Sequence, residues 1–108
     1  GYNYYNKYQC TWWAYKRRVQ LGKPVSNQWG NAKNWYYRAQ RAGYRTGHKP
    51  KRYAIMQSTA GYYGHVAIVE RVYSNGKILV SEYNYNRPLA YSTRYISASA
   101  ARNYNYIY

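Results

Sequence analysis

The sequence predicts an α+β fold with N-terminal helices followed by an antiparallel β-sheet. Apolar residues recur with helical spacing between residues 10 and 42, whereas after residue 53 they alternate or form β-branched runs. An Asn-Gly pair at residues 75–76 separates two of these runs, as expected for a β-hairpin. A chain of 108 residues can build one hydrophobic core, so we expect a single domain over residues 1–108.

Two helices are predicted in the first half of the chain, after an irregular lead-in. The first begins at Cys10 and ends near Leu21, because Gly22 and Pro24 follow it as a stop signal. The second covers residues 31–42, where apolar side chains recur at positions i, i+3, i+4 and i+7 and a glycine follows. Both helices therefore have an apolar face that must pack against the remainder of the domain.

Five strands are predicted in the second half. The segment from His65 to Tyr73 is long and rich in β-branched residues, and Asn75-Gly76 connects it to a return strand. Turn-forming residues delimit the others, and residues 98–101 have the composition of a short helical turn. The predicted strands cover residues 53–57, 65–73, 77–83, 90–97 and 104–108.

The side-chain charges are strongly unbalanced. Lys and Arg together number 17, against Glu70 and Glu82 as the two acidic residues, which gives a formal net charge of +15. Such a charge attracts polyanions and speeds their encounter, and salt screens it. Nucleic acid, anionic membrane and the phosphate-rich wall polymers of Gram-positive bacteria all fit, so the charge by itself does not select a partner.

The composition also argues against several kinds of site. A single cysteine rules out an internal disulfide and a zinc site built on several thiolates. The absence of Asp disfavours a calcium site, and two glutamates are few for a pair of catalytic carboxylates. We expect no metal, no cofactor and, since no run approaches roughly 18 apolar residues, no membrane-spanning segment.

Cys10 lies where the irregular lead-in becomes helix. The positive end of the helix macrodipole favours the thiolate, and the unpaired backbone N–H groups of the first turn can receive an oxyanion. This placement suits a nucleophile. A lone cysteine is more often an inert packing residue, so the interpretation depends on what surrounds it.

His65 begins the strongest predicted strand, so its ring is expected at one end of the sheet. A two-residue turn at residues 75–76 would pair Glu82 with position 69 and Asn84 with position 67, both on the face of His65. Asn84 would then be the nearer diagonal neighbour of His65, although a register slip or a bulge would alter which of Glu82 and Asn84 makes that contact. A Cys, a His and an acceptor that orients the His form a triad for nucleophilic catalysis.

Five segments resemble the CHAP family (cysteine, histidine-dependent amidohydrolase/peptidase). They are residues 8–14 (YQCTWWA), 29–32 (WGNA), 64–70 (GHVAIVE), 81–84 (SEYN) and 93–96 (TRYI). The similarity covers nearly the whole chain in the right order and is nearest to the staphylococcal secretory-antigen type. Family members commonly carry a glycine just before the first long strand, where this chain has Arg52-Tyr53, so that loop is expected to be reshaped.

The resemblance implies a papain-like, NlpC/P60-like fold and hydrolysis of an amide bond in peptidoglycan through a cysteine acyl-enzyme. It puts the nucleophile at Cys10, the base at His65, and the orienting acid and amide at Glu82 and Asn84. The bond is either N-acetylmuramoyl-L-alanine or one within the stem or cross-bridge peptide. The resemblance further implies a secreted, bacteriolytic, monomeric domain at the bacterial cell wall, in contact with peptidoglycan and anionic wall polymers.

Substrate and oxyanion contacts are expected from side chains around the nucleophile and the base. Gln9 and the backbone N–H of the nucleophile would receive the oxyanion, and the others would border the substrate. Each has a commoner structural role, as a turn brace, a core aromatic or an exposed loop residue. The candidate substrate-binding residues are Gln9, Trp12, Tyr62, Tyr63 and Gly64.

Two other functions remain open on the sequence. The first is a non-catalytic wall-binding module on the same scaffold, which would not need a reactive thiol. The second is a nucleic-acid-binding domain that uses the charge of +15 and exposed tyrosines. The scattered Lys and Arg residues and the lack of a nucleic-acid motif disfavour the second, but nonspecific polyanion binding at low salt is expected in every case.

Overall fold

Helices occupy the first part of the chain and strands most of the remainder, in a computed structural model that describes all 108 residues. This order of helices and strands agrees with the predicted α+β class. The helices are α1 (Cys10–Gln20), a 3-10 helix (Ala32–Asn34), α2 (Trp35–Arg41) and α3 (Ala98–Ala101). The strands are β1 (Thr46–Gly47), β2 (Ile55–Ser58), β3 (His65–Val72), β4 (Ile78–Tyr83), β5 (Tyr91–Ile96) and β6 (Asn105–Ile107).

The helix boundaries agree with the sequence patterns to within a few residues. Helix α1 begins at the predicted residue, and Gly22 follows its end with φ of 71°, the left-handed region that favours glycine. The second helical segment begins as a 3-10 turn at Ala32, so only residues from Trp35 onward are α-helical. A tight first turn of this kind is common at helix termini.

The six strands form one antiparallel sheet in the order β1-β6-β2-β3-β4-β5. The two-residue strand β1 was not predicted, because a segment this short carries no periodicity. It pairs with β6, where Thr46 faces Ile107. Strand β3 lies inside the sheet between β2 and β4, and His65 at its first residue pairs with Ser58 of β2.

The predicted register of β3 against β4 is wrong by two residues at the His65 end. The connection is a three-residue loop, with Gly76 at φ of 89° and hydrogen bonds that join Tyr73 to both Gly76 and Lys77. A β-bulge between Val69 and Arg71 adds a second one-residue shift. Two shifts of one residue leave each side chain on the face that was predicted for it. Glu82 and His65 therefore lie on the same face of the sheet, as predicted.

The sheet is covered on both faces. One face packs against α1 and α2 through a cluster that includes Ala14, Trp35 and Ile68. The other face carries a second cluster that includes Met56, Val80 and Ala101 of α3. None of the helices is long and apolar enough to cross a membrane.

The loop before β2 adopts the backbone that glycine favours, although no glycine is present. Tyr53 has φ of 71°, and its backbone N–H and that of Val69 join the loop and β3 by hydrogen bonds. Arg52 lies over the Tyr53 ring at 4.7 Å. The sheet contacts therefore hold a tyrosine in a conformation that costs about 1 kcal/mol or more for a non-glycine residue.

Candidate active site

Cys10 begins α1 and lines a cleft of 680 Å³ at one end of the sheet. The chain approaches it through Tyr8, whose φ is 72°, and a turn closed by the hydrogen bond from Gln9 N–H to Asn6 O. No acidic residue lies in the first turn of the helix, so nothing there opposes the positive end of the helix dipole. The local backbone thus presents the thiol at an open helix N-terminus.

His65 lines the same cleft and is joined to Glu82. The distance between His65 Nε2 and Glu82 Oε1 is 2.8 Å. Burial lowers the pKa of His65, but its polar interactions with the Cys10 and Glu82 side chains outweigh burial and raise the pKa to about 9. At neutral pH the ring is therefore an imidazolium whose Nε2–H donates to Glu82.

Glu82 is fully buried on the sheet face that carries His65. Its carboxylate also accepts from Arg94, with 2.6 Å between Nε and Oε2 and 3.2 Å between Nη2 and Oε1. A buried carboxylate needs this compensation, because leaving a buried charge unpaired is strongly destabilising. Glu82, and not Asn84, is thus the acceptor that orients the His65 ring.

Asn84 lies in the cleft but contacts Gln9. Its Nδ2 donates to Gln9 Oε1 over 2.8 Å, and its own Oδ1 accepts from Leu89 N–H. The Gln9 Oε1 atom is therefore occupied, whereas its Nε2 group has no protein partner and lies in the cleft that Cys10 also lines. An N–H donor is thus free in the cleft of Cys10, and a free donor is one of the groups that an oxyanion site requires.

The loop from Gly61 to Gly64 forms one wall of the cleft. Tyr62 and Tyr63 are 78% and 62% exposed at its rim. Lys33 N–H donates to Tyr63 O, and a Cβ on Gly64 would lie 2.5 Å from the Lys33 nitrogen. Gly64 is therefore required for the close approach of this loop to the 3-10 helix.

Trp12 does not line the cleft. It is buried against Tyr8 and Tyr83 on another side of α1, with the Lys16 ammonium 4.9 Å from its ring centre. Its position is that of a core aromatic, the commoner role considered from the sequence. Tyr4, which is not among the predicted substrate-binding residues, lines the cleft together with Tyr62 and Tyr63.

Arg94 is a second residue of this site that was not predicted from the sequence. Strand pairing places Glu82 opposite Ser92, so Arg94 lies two residues along on the same face. The residue pattern of β5 gave no signal for this position, because its exposed residues are tyrosine and threonine and its inward residues include Ser92 and Arg94. No group of three or more His, Cys, Asp or Glu side chains lies close enough together to hold a metal ion.

The family model of the CHAP domain matches residues 1–84. The chain belongs to the CHAP domain family. It is 50% identical over 107 residues to the N-acetylmuramoyl-L-alanine amidase sle1 of Staphylococcus haemolyticus, covering 98% of this chain and 32% of that protein. It is 49% identical over 109 residues to the staphylococcal secretory antigen ssaA2 of Staphylococcus aureus, covering 100% of this chain and 40% of that protein.

The fold of this CHAP domain is similar to that of solved structures. The crystal structure of N-acetylmuramoyl-L-alanine amidase from Staphylococcus aureus superimposes with a TM-score of 0.89 and 43% identity, over 93% of this chain and 30% of that chain. The fold class and the family resemblance predicted from the motifs are thereby confirmed. This CHAP domain spans about a third to two fifths of the length of the curated relatives it matches.

Proposed function

We propose that this CHAP domain hydrolyses an amide bond in peptidoglycan through an acyl-enzyme on Cys10. The observation that carries the proposal is one cleft that holds Cys10 at a helix N-terminus and His65, with His65 joined to the buried Glu82. The names of the staphylococcal amidases to which the chain is similar support this substrate class. A nucleophile, a base and an orienting acceptor are the parts that acyl transfer requires.

In the first step the Cys10 thiolate attacks the amide carbonyl, and the carbonyl oxygen becomes an oxyanion. Gln9 Nε2 and the Cys10 backbone N–H stabilise that oxyanion. His65, protonated at neutral pH, donates its Nδ1 proton to the departing amine, which leaves an acyl thioester on Cys10.

In the second step water attacks the thioester, with His65 as general base. The carboxylic acid product leaves, and the Cys10 thiolate and the His65 imidazolium are restored. Glu82 accepts from Nε2–H throughout, so that Nδ1 remains the nitrogen that moves the proton.

The bond we propose is that between the lactyl group of N-acetylmuramic acid and L-alanine. The names of two relatives, each an N-acetylmuramoyl-L-alanine amidase, support this choice. Tyr4 and Tyr62, exposed tyrosines that line the cleft, fit a sugar-peptide junction, because aromatic rings can pack against apolar sugar faces. Cleavage within the stem or cross-bridge peptide is the alternative.

The proposal is tested by release of soluble fragments from purified Gram-positive peptidoglycan. We expect Cys10→Ala and His65→Gln to remove release, while His48→Gln, at the other histidine of the chain and outside the cleft, retains it. Mass spectrometry of the new termini identifies the bond: a free lactyl carboxylate with an alanine amine indicates the amidase. Binding of folded protein to peptidoglycan without release would instead indicate a wall-binding module.

We further propose that the domain acts at the secreted cell-wall location of its relatives and binds anionic wall polymer by charge. Both acidic side chains are engaged by arginines, so neither offsets the remaining Lys and Arg residues at the surface. We expect binding to walls stripped of phosphate polymer to be weaker than binding to intact walls. We also expect salt to reduce that difference, because screening shortens the range of the attraction. Equal binding to both walls at low salt would contradict this second proposal.

A further inference from the structure

The Glu82 carboxylate is shared between two cationic side chains. Its Oε1 atom lies 2.8 Å from His65 Nε2 and 3.2 Å from Arg94 Nη2, and its Oε2 atom lies 2.6 Å from Arg94 Nε. We propose that Arg94 is a positioning residue: it holds the Glu82 carboxylate in the plane that orients His65 and limits how tightly that carboxylate retains the imidazole proton. The inference rests on the proposed function, because the step it affects is proton transfer by His65.

The geometry distinguishes Arg94 from a simple counter-ion. A carboxylate held only by His65 could rotate about its Cγ–Cδ bond, and the imidazole would turn with it. The planar Arg94 guanidinium donates from Nε and Nη2 to both carboxylate oxygens, like a two-pronged fork, and prevents that rotation. A single ammonium group cannot fix the carboxylate plane in this way. A misplacement of about 1 Å at a reacting group can cost on the order of 10²-fold in rate, so this constraint bears on catalysis.

Tyr85 covers the solvent side of the same network. Its ring lies 3.7 Å from the Arg94 guanidinium carbon, and its centroid lies 5.5 Å from that of His65. The Arg94 guanidinium is thus placed between the buried carboxylate and an aromatic face. Reduced access of water strengthens both the cation–π contact and the ion pair, which favours a fixed position for the guanidinium.

The charge of Arg94 has a predictable effect on proton transfer. His65 and Glu82 together retain one proton in the resting enzyme, and Arg94 offsets part of the negative charge that attracts it. Removal of Arg94 raises the proton affinity of the pair, whichever member holds the proton. The His65 ring then becomes a weaker acid toward the leaving amine, and kcat falls while KM, set by the cleft walls, changes little.

The second Arg–Glu pair of the chain provides a matched control. Arg17 donates to both oxygens of Glu70 over 2.8 and 2.9 Å, and its side chain is as exposed as that of Arg94, at 26% against 23%. This pair lies on the other face of the sheet, against α1. Arg17→Met therefore breaks a similar ion pair without reaching His65.

The experiment compares Arg94→Met, Arg94→Gln and Arg94→Lys with Arg17→Met. Peptidoglycan hydrolysis supplies kcat and KM, and NMR titration of the ring protons supplies the pKa of His65, which is readily resolved because the chain has two histidines. We expect Arg94→Met and Arg94→Gln to lower kcat about 10- to 100-fold and to raise the pKa of His65. We expect Arg94→Lys, which keeps the charge but loses the fork, to lower kcat less and to keep the pKa near that of the parent.

The proposal is overturned if folded Arg94→Met or Arg94→Gln retains the parent kcat and the parent His65 pKa, or if Arg17→Met causes the same loss of kcat. If neither of the two uncharged variants folds, a parent value of kcat in Arg94→Lys overturns it. A parent protein that releases nothing from peptidoglycan contradicts the proposed function instead, and the NMR titration still decides whether Arg94 controls the His65 proton.

Discussion

The two acidic side chains of this domain lie on opposite faces of one sheet, and each is held by an arginine. Glu82 joins Arg94 to His65 beside the cleft, whereas Glu70 joins Arg17 to Ser81 beneath α1. The chemical groups are nearly the same at the two places. The difference is the third partner, because a histidine can move a proton in the neutral pH range and a serine cannot.

This comparison teaches that a partly buried ion pair is not by itself a sign of catalysis. The Glu70 group ties α1 to the sheet, with Trp13 Nε1 donating to Ser81 Oγ and Ser81 Oγ donating to Glu70 Oε2. The Glu82 group ends at an open cleft that also holds Cys10. An acid becomes part of a reaction site when its network reaches both a titrating group and substrate-accessible space.

The largest expected effect separates the two acids by activity. Glu82→Gln is expected to lower kcat by about 10²-fold or more, because the neutral amide no longer stabilises the His65 imidazolium and can select the wrong tautomer. Glu70→Gln is expected to keep kcat within a few fold of the parent. Peptidoglycan release by the two variants, both first shown to be folded by circular dichroism, measures the difference. Equal losses of activity in the two variants would contradict the distinction between Glu82 and Glu70.

The next effect is the loss of folding stability and activity at alkaline pH. The pKa of His65 is about 9 in the folded protein, although burial opposes protonation, and its ordinary value is 6.5. The stability contributed by this group is therefore complete below pH 6.5 and is lost as the pH rises through 9. Urea titrations across this range should show the decline in the parent and a smaller one in His65→Gln.

The pH dependence of catalysis should follow the same group. We expect kcat/KM to fall above pH 9, since the imidazolium that protonates the leaving amine is then lost. The Glu70→Gln variant should show the same alkaline fall as the parent, because Glu70 lies outside the cleft. If kcat/KM of Glu70→Gln fell at a different alkaline pH from that of the parent, Glu70 would influence His65 from the opposite face of the sheet.

A smaller effect is expected at Ser81. The Ser81→Ala variant removes the hydroxyl that bridges Trp13 and Glu70, which leaves the indole N–H without its partner. We expect a loss of about 1–3 kcal/mol in the free energy of unfolding and no change in kcat. Chemical denaturation together with the peptidoglycan assay checks both parts. A loss of activity in a variant of unchanged stability would contradict the structural role.

The smallest expected effect appears at acid pH. Burial raises the pKa of Glu70, but hydrogen bonds from Arg17 and Ser81 outweigh it and hold the pKa below the usual 4.5. The stability from this group is present above pH 4.5 and is lost as the pH falls through the lowered pKa. The parent should therefore lose stability below pH 4.5 more steeply than Glu70→Gln in denaturation series. Identical slopes would show that the Glu70 pair contributes nothing measurable.

Much of the candidate site was predictable because its signals are local. Cys10 at a helix start follows from the change of pattern after residue 9, and His65 at a strand start follows from the β-branched run that it begins. These two inferences use neighbouring residues in the chain and need no knowledge of the packing. The shared face of His65 and Glu82 was predicted from the strand period of two and an assumed turn, and it is correct because the loop and the bulge shift the register by one residue each.

Contacts between distant residues were less predictable, as Asn84 and Arg94 illustrate. The contact of His65 with Glu82, and not with Asn84, depends on a three-residue loop and a bulge. The two register shifts together make Glu82 the diagonal neighbour of His65 in place of Asn84. The role of Arg94 depends on the pairing of β5 with β4, which no residue pattern within β5 states.

The sequence by itself determined the fold class, the family, the helix that presents Cys10 and the strand that presents His65. The tertiary structure decided which acceptor orients His65, that Asn84 holds Gln9, that Trp12 packs away from the cleft, and that Arg94 completes the network. The physical reason is one of range: periodicity and turn chemistry act over a few residues. Strand register and side-chain contacts are instead settled only when loops and bulges bring remote segments together.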